Sequence, residues 1–176
     1  MQVQHPEQRV GVFVDIGNMY HSAKNLFSAK LNFGKVLETA VGKRQLVRAI
    51  CYVVESQTPE EKNFFEALSN QGYEVKSKDL QIFPGGAKKG DWDVGIAIDA
   101  ITIANHLDVV VLVTGDGDFI PLINFLKNNK GCRVEVIAFE QSASAKLIED
   151  ADSYVNISSD PKKYLIKSAA MRARRK

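Results

Sequence analysis

Apolar residues fill every position from Val109 to Val113, and polar residues begin directly after this run. A mainly β-branched run of this length is typical of a strand that is buried on both faces of a sheet. Residues 10–14 form a similar run, which leads directly into Asp15. Residues 46–54 predict a further strand, because a row of smaller apolar residues alternates there with a second row. The first row is Val47, Ala49, Cys51 and Val53, and the second is Arg48, Ile50 and Tyr52. These segments predict the central strands of one sheet.

Segments with the apolar spacing of amphipathic helices separate the predicted strands. In one of them, Thr58 and Pro59 supply an N-cap residue and a proline at the first helical position. Strands that alternate with helices imply right-handed crossovers and a mostly parallel sheet covered on both faces. The predicted fold is therefore an α/β protein, a three-layer α/β/α sandwich of Rossmann-like type. The predicted strands cover residues 9–15, 46–54, 73–78, 80–83, 109–113, 133–139 and 154–157; the predicted helices cover residues 18–29, 35–41, 58–71, 92–106, 119–129, 143–151 and 161–174; and a flexible glycine-rich loop covers residues 84–90.

The chain has 176 residues, of which 45% are hydrophobic and 25% charged, as is ordinary for one globular domain. We predict a flexible N-terminus over residues 1–8, one domain over residues 9–160, and a basic C-terminal helix or tail over residues 161–176. No apolar run approaches the roughly 20 residues that span a bilayer, and the first residues lack a signal-peptide pattern. Cys51 and Cys132 are interpreted as small buried hydrophobic residues. These features favour a cytoplasmic protein that does not enter a membrane.

Basic residues are concentrated at the C-terminus. Seven of the 23 lysines and arginines lie in residues 161–176, which contain no acid, so the rest of the chain has 16 basic and 21 acidic residues and a net charge of −5. An acidic body with a basic tail suits a polyanionic partner that is brought to a cation-filled site. A solubilising helix end explains the same tail, and both interpretations stay open. The basic residues are Lys162, Lys163, Lys167, Arg172, Arg174, Arg175 and Lys176.

Acidic residues follow the two most apolar predicted strands. Asp15 ends the first of them, and Asp116 and Asp118 follow the run that ends at Val113. Ligands of open α/β sheets bind at the carboxyl ends of the strands, where these side chains are expected to meet. Asp93 is predicted to join them from the first turn of a helix. Asp99, about 9 Å further along that helix, is expected to support the site or face a polar seam.

Several carboxylates in one place repel one another unless a cation neutralises them. Mg²⁺ and Mn²⁺ prefer oxygen ligands, and such an ion polarises phosphoryl groups and activates water. The acidic set therefore has the chemistry to hydrolyse a phosphodiester. Taken singly, Asp91 and Asp118 are also explained as helix caps. Asn18 is interpreted either as a cap of the first helix or as a residue that orients a phosphate or water.

Three segments together resemble the NYN family, the nuclease-related domains of the LabA and DUF88 type. They are Phe13-Val14-Asp15-Ile16-Gly17-Asn18, Lys89-Gly90-Asp91-Trp92-Asp93-Val94 with the following Ile98-Asp99, and Thr114-Gly115-Asp116-Gly117-Asp118-Phe119-Ile120-Pro121-Leu122. The resemblance covers residues 9–157. It implies a PIN-like α/β sandwich, an acidic site for Mg²⁺ or Mn²⁺, and activity on RNA.

Carried over residue by residue, the resemblance implies metal-binding and catalytic roles for four acids, Asp15, Asp93, Asp116 and Asp118. Asn18 matches the family's polar residue after the first strand, and Thr114 stands where the family often has serine. Lys88 and Lys89 are hypothesised to hold a phosphate backbone, although two solvated lysines are an equal alternative. Trp92 is interpreted as a packing residue rather than as a platform for a base.

The leading hypothesis is a metal-dependent ribonuclease or RNA-processing enzyme. The alternative is a non-catalytic regulatory module that binds RNA or a protein and retains the acidic site. A phosphatase of the haloacid-dehalogenase type is disfavoured, because its second strand-end aspartate is replaced by Gly17. The oligomeric state, including a homo-oligomer, stays open.

Overall fold

The computed structural model describes residues 4–167, and for Lys88 and Lys89 it describes the backbone alone. Strands and α-helices are numbered in chain order. The strands are β1 (Arg9–Asp15), β2 (Ala29–Leu31), β3 (Gln45–Glu55), β4 (Glu74–Asp79), β5 (Gln81–Ile82), β6 (Lys88–Lys89), β7 (Val109–Val113), β8 (Arg133–Ala138), β9 (Ser153–Asn156) and β10 (Leu165–Lys167). The helices are α1 (Ile16–Phe27), α2 (Phe33–Val41), α3 (Pro59–Asn70), α4 (Asp93–Ile103), α5 (Ile120–Lys130), α6 (Ala145–Asp150) and α7 (Pro161–Tyr164).

Six strands form a parallel central sheet in the order β4-β3-β1-β7-β8-β9. From β1 the chain moves outward to β3 and β4, and it then returns to β7 on the other side of β1. The sheet therefore has a topological switch point between β1 and β7, which is where open α/β sheets bind their ligands. The predicted three-layer α/β/α sandwich with a mostly parallel sheet is confirmed.

Each face of the sheet is covered by its own layer of helices. Alternate side chains of β7 pack against one layer or the other. Val109, Val111 and Val113 pack with α1, α2 and α3 on one face. Val110 and Leu112 pack with α4, α5 and α6 on the other. All five side chains are fully buried. The uninterrupted apolar run of β7 is explained by burial on both faces.

Side-chain caps and a glycine set several helix boundaries. The side chain of Asn32 accepts a hydrogen bond from the backbone N–H of Lys35 and so caps α2. Gly131 ends α5 in the left-handed conformation, with φ of 65°, which glycine adopts without steric cost. Such local signals explain why the predicted and observed ends of these helices lie close together.

The predicted C-terminal helix over residues 161–174 is wrong over residues 165–167. The helix α7 ends at Tyr164, and β10 follows and pairs antiparallel with β2, a strand that the sequence did not reveal. The Tyr164 side chain is buried, and its hydroxyl is 2.9 Å from that of Thr39 on α2. This anchor and the pairing with β2 override the helical pattern. Residues 168–176, with the last four basic residues, lie outside the described part of the chain.

One smaller prediction changed in the region before α4. The short strand expected over residues 80–83 is present as β5, but the loop expected over residues 84–90 contains β6, which pairs antiparallel with β5. The predicted division of the chain at residues 8 and 160 stays a prediction.

Cys51 and Cys132 are both buried, as expected. None of the helices within residues 4–167 has the length and hydropathy to cross a membrane.

A buried ion pair ties α2 to the sheet. The Arg44 guanidinium donates to both carboxylate oxygens of Glu135 on β8, at 3.0 and 2.8 Å, and to the carbonyl of Ala40 at 2.7 Å. The side chains of Arg44 and Glu135 are only 1% and 9% exposed. Because each charge has its partner, the pair is tolerated in the interior.

Candidate metal centre

Three carboxylates converge beside the switch point of the sheet. Asp116 follows β7, Asp118 lies in the 3-10 turn that leads into α5, and Asp93 is the first residue of α4. One oxygen from each side chain lies within 4.8 Å of the others. The residues Asp93, Asp116 and Asp118 are called the carboxylate cluster below.

The loop after β7 is held in shape by hydrogen bonds within it. The Asp116 side chain accepts from the backbone N–H of Asp118 at 2.9 Å, and the backbone N–H of Asp116 donates to the buried hydroxyl of Thr114 at 3.2 Å. A Cβ atom on Gly115 would lie 2.9 Å from the backbone of Ala143. Glycine is therefore required for this loop to lie against the chain before α6.

Asp15 lies next to the carboxylate cluster but is not one of the three converging groups. One of its oxygens caps α1 by accepting from the backbone N–H of Asn18 at 3.2 Å, and the other is 3.5 Å from the Thr114 hydroxyl. Burial raises the pKa of the Asp15 carboxyl, and the charges of Asp116 and Asp91 add to the effect. Its role as a metal ligand stays a prediction.

Burial and neighbouring acids both disfavour the charged form of Asp93. Partial burial is the main reason why its pKa is raised to about 6, and neighbouring negative charges raise it further. Those charges belong to Asp116, Asp91, Asp15 and Asp118.

Asp91 is a member of this acidic environment that the sequence interpretation treated as a helix cap. It is exposed, and its charge raises the pKa of both Asp15 and Asp93. A signal was present in the sequence, because the spacing of Asp91 and Asp93 repeats that of Asp116 and Asp118.

The chemistry of the donor set fits a hard divalent cation. The three groups are carboxylates, with no thiolate or imidazole among them, and oxygen donors are those that Mg²⁺ and Mn²⁺ prefer. Among the side chains that the structure describes, no lysine or arginine forms an ion pair with the cluster. A bound cation would therefore neutralise charge that the described side chains leave uncompensated.

The predicted substrate-binding residues divide into two pairs. Thr114 is 2% exposed and bonds within the site, and the side-chain oxygen of Asn18 accepts from the backbone N–H of Gly115 at 3.0 Å. These contacts join β1, β7 and α1, and the capping role considered for Asn18 is taken by Asp15. Lys88 and Lys89 form β6, close in sequence to Asp91. Substrate binding by all four stays a prediction.

Trp92 packs against the body of the protein, as expected. Its indole N–H donates to the Val53 carbonyl at 2.8 Å, and a Cβ atom on Gly95 would lie 2.5 Å from its ring. The ring also lies 5.3 Å from that of Tyr52, centroid to centroid. These contacts fix the start of α4 and with it the position of Asp93.

Asp99 lies in a polar seam away from the carboxylate cluster. It accepts a hydrogen bond from the Tyr52 hydroxyl at 2.8 Å and pairs with the Lys76 ammonium group at 2.7 Å. Of the two roles expected for Asp99, the polar seam is confirmed by these contacts, and support of the site stays a prediction.

The fold and the cluster define the class: an α/β domain with an acidic centre, suited to a divalent metal, at the switch point of a parallel sheet. The NYN domain pattern matches residues 9–158. The chain belongs to the NYN family, within the PIN-like nuclease superfamily.

Individual relatives agree with this assignment. The low amplitude and bright protein LabA of Synechococcus elongatus is 25% identical over 160 residues, which cover 85% of this chain and 83% of LabA. The uncharacterized protein MJ0482 of Methanocaldococcus jannaschii is 29% identical over 153 residues, which cover 86% of this chain and 56% of that protein. The crystal structure of VPA0982 from Vibrio parahaemolyticus, a protein of unknown function, is 31% identical with a TM-score of 0.84, and the match covers 94% of this chain and 100% of that one.

Proposed function

We propose that this protein is a metal-dependent ribonuclease that hydrolyses RNA phosphodiesters at the carboxylate cluster. The observation that carries the proposal is the convergence of Asp93, Asp116 and Asp118 at the switch point of the sheet. Membership of the NYN family supports it independently. Its partner is RNA, and its cofactor is Mg²⁺ or Mn²⁺.

In this proposal, Asp93, Asp116 and Asp118 hold the cation, and Asp15 supports the site from the end of β1. When bound, the ion neutralises phosphate charge and lowers the pKa of water. The Asp118 backbone N–H orients the Asp116 carboxylate, and Asn18 fixes the backbone at Gly115. Because these hydrogen bonds already hold the carboxylates in place, metal binding does not have to order them.

The charge of the site makes metal and RNA binding interdependent. Without a cation the cluster presents negative charge to the phosphate backbone and repels it. Once the charge is neutralised, the same place accepts a phosphodiester. We therefore expect RNA to bind more tightly when Mn²⁺ is present, and Mn²⁺ to bind more tightly when RNA is present.

The decisive experiment is cleavage of a mixed pool of single-stranded and structured RNA in Mn²⁺, Mg²⁺ or EDTA. The test variant is Asp116→Asn, which removes a charge but keeps an oxygen that can accept from the Asp118 N–H. The matched control is Asp160→Asn, because Asp160 caps α7 in the same way, through the N–H of Lys163. We expect metal-dependent cleavage by the wild type and the control, and none by Asp116→Asn.

A non-catalytic regulatory module is the second candidate, and one observation favours it. Asp15 caps the start of α1, and Asp116 caps the 3-10 turn that leads into α5. Both acids therefore serve the fold even without catalysis. If RNA stays intact in every lane while Mn²⁺ still stabilises the protein thermally, the ribonuclease proposal is wrong and this candidate replaces it.

A further inference from the structure

A two-stranded ribbon extends from the same edge of the sheet at which the carboxylate cluster lies. Residues 80–90, called the ribbon below, contain β5, β6 and the turn between them. Both ends are anchored to the carboxyl end of β3: the Leu80 N–H donates to the Glu55 carbonyl at 3.1 Å, and a Cβ atom on Gly90 would lie 2.7 Å from Val54. The ribbon therefore starts and ends at the edge of the sheet where the strands end and the acidic residues lie.

The tip of the ribbon is exposed and apolar. Every residue from 81 to 87 is exposed, including Ile82 at 68% and Phe83 at 45%. The turn is closed by a hydrogen bond from the Gly86 N–H to the Phe83 carbonyl at 3.1 Å. Gly85 has a φ of 96°, so Pro84 and Gly85 occupy the central positions of a type II turn. A defined turn thus presents an aromatic side chain to solvent.

The charge of the ribbon is complementary to a phosphate backbone. Residues 80–90 include two lysines, Lys88 and Lys89, and no acid. This contrasts with the acids that follow immediately, Asp91 and Asp93. A polyanion that approaches the acidic centre is therefore favoured on the ribbon side.

We propose that the ribbon is a binding site for unpaired nucleotides, in which Phe83 stacks on a base. An exposed aromatic ring beside basic residues is how sequence-tolerant single-strand binding is built, since every base has a π-face. Paired bases are already stacked in a duplex and offer no free face at this position. The ribbon consequently selects single-stranded RNA for the site. This inference rests on the proposed function for the identity of the polymer, but binding is measured without cleavage.

The test is fluorescence anisotropy with a short labelled RNA of mixed sequence, alone and annealed to its complement, in EDTA. Phe83→Ala is compared with Phe83→Tyr, which keeps an aromatic ring, and with Phe125→Ala. Phe125 on α5 is a matched control because it is 38% exposed, similar to Phe83. We expect Phe83→Ala to weaken single-strand binding about tenfold, with Phe83→Tyr and Phe125→Ala near the wild type and duplex binding unchanged.

Salt dependence separates stacking from charge. Phe83→Ala should leave the slope of log K against log salt unchanged, whereas Lys88→Ala and Lys89→Ala should each reduce it by about 0.7 if each contacts one phosphate. Thermal melting checks that the variants fold, which the exposure of the ribbon leads us to expect.

The inference is overturned if wild-type protein fails to prefer the single strand, or if Phe83→Ala binds like Phe125→Ala. Failure of the proposed hydrolysis is a separate outcome. It is recognised when Phe83→Ala weakens binding as expected but no metal produces cleavage by the wild type.

Discussion

Neutralising Asp93 should stabilise the metal-free protein and weaken its stabilisation by metal. Asp93 makes no side-chain hydrogen bond within the described part of the chain, and its pKa is raised to about 6 by burial and four neighbouring acids. The Asp93→Asn variant removes this unfavourable charge at nearly constant volume. The same change removes one of the three converging carboxylates.

The expected change in the free energy of unfolding of Asp93→Asn follows from two opposing effects. A pKa raised from 3.8 to about 6 corresponds to about 3 kcal/mol without solvent screening; because Asp93 is only partly buried, we reduce this to about 1–1.5 kcal/mol. Asp93 also lies in the first turn of α4, where a negative charge contributes about 0.3–1 kcal/mol. The net gain is about 0.5 kcal/mol, or an increase in Tm of about 1–2 °C.

Differential scanning fluorimetry with and without Mn²⁺, across pH, measures this effect. The control is Glu60→Gln, because Glu60 is an exposed acid in the first turn of α3 and lies outside the acidic environment. Since folding raises the pKa of Asp93, the contribution of this group to stability increases as pH falls from about 6 towards 4. The advantage of Asp93→Asn should therefore be present at pH 7.5 and disappear near pH 4.

The order of stability should reverse when Mn²⁺ is added, because the wild type binds the ion more tightly than the variant does. If Asp93→Asn is destabilised at pH 7.5 as much as Glu60→Gln, repulsion in the cluster is not significant. A variant that Mn²⁺ stabilises as strongly as the wild type would show that Asp93 is not a ligand.

The remaining predictions concern the supports of the site and the core. Mn²⁺ affinity measured by calorimetry should fall as pH decreases below about 6, because protons compete for Asp93; an affinity that is constant from pH 7.5 to 5 would contradict this. Asn18→Ala should cost about 1–2 kcal/mol in urea unfolding, because the Gly115 N–H loses its acceptor, and should weaken Mn²⁺ binding. Glu135→Ala should cost about 3–5 kcal/mol, because the Arg44 charge stays buried without its partner. The double variant Arg44→Met/Glu135→Leu should be more stable than Glu135→Ala, and the reverse order would refute this explanation.

Local signals were sufficient for much of the fold and for the edge of the sheet at which the acids meet. The run from Val109 to Val113 predicted a strand buried on both faces, because no polar side chain in it requires solvent. Pro59 and Gly131 marked helix boundaries through backbone geometry that neighbouring residues do not override. Acids placed directly after apolar strands indicated the site, because parallel strands bring their carboxyl ends to one edge of the sheet.

Tertiary contacts decided the features that depend on distant partners. Asp15 and Asp93 looked equivalent in the sequence, but Asp15 caps α1 while Asp93 joins the cluster. Over residues 165–167, the pairing of β10 with β2 and the burial of Tyr164 replaced the predicted continuation of a helix. The buried partnership of Arg44 and Glu135 is formed across 91 residues of sequence. The spacing of apolar residues in the sequence indicates which face of a helix or strand is buried. The partner of a polar side chain depends instead on how the whole chain packs.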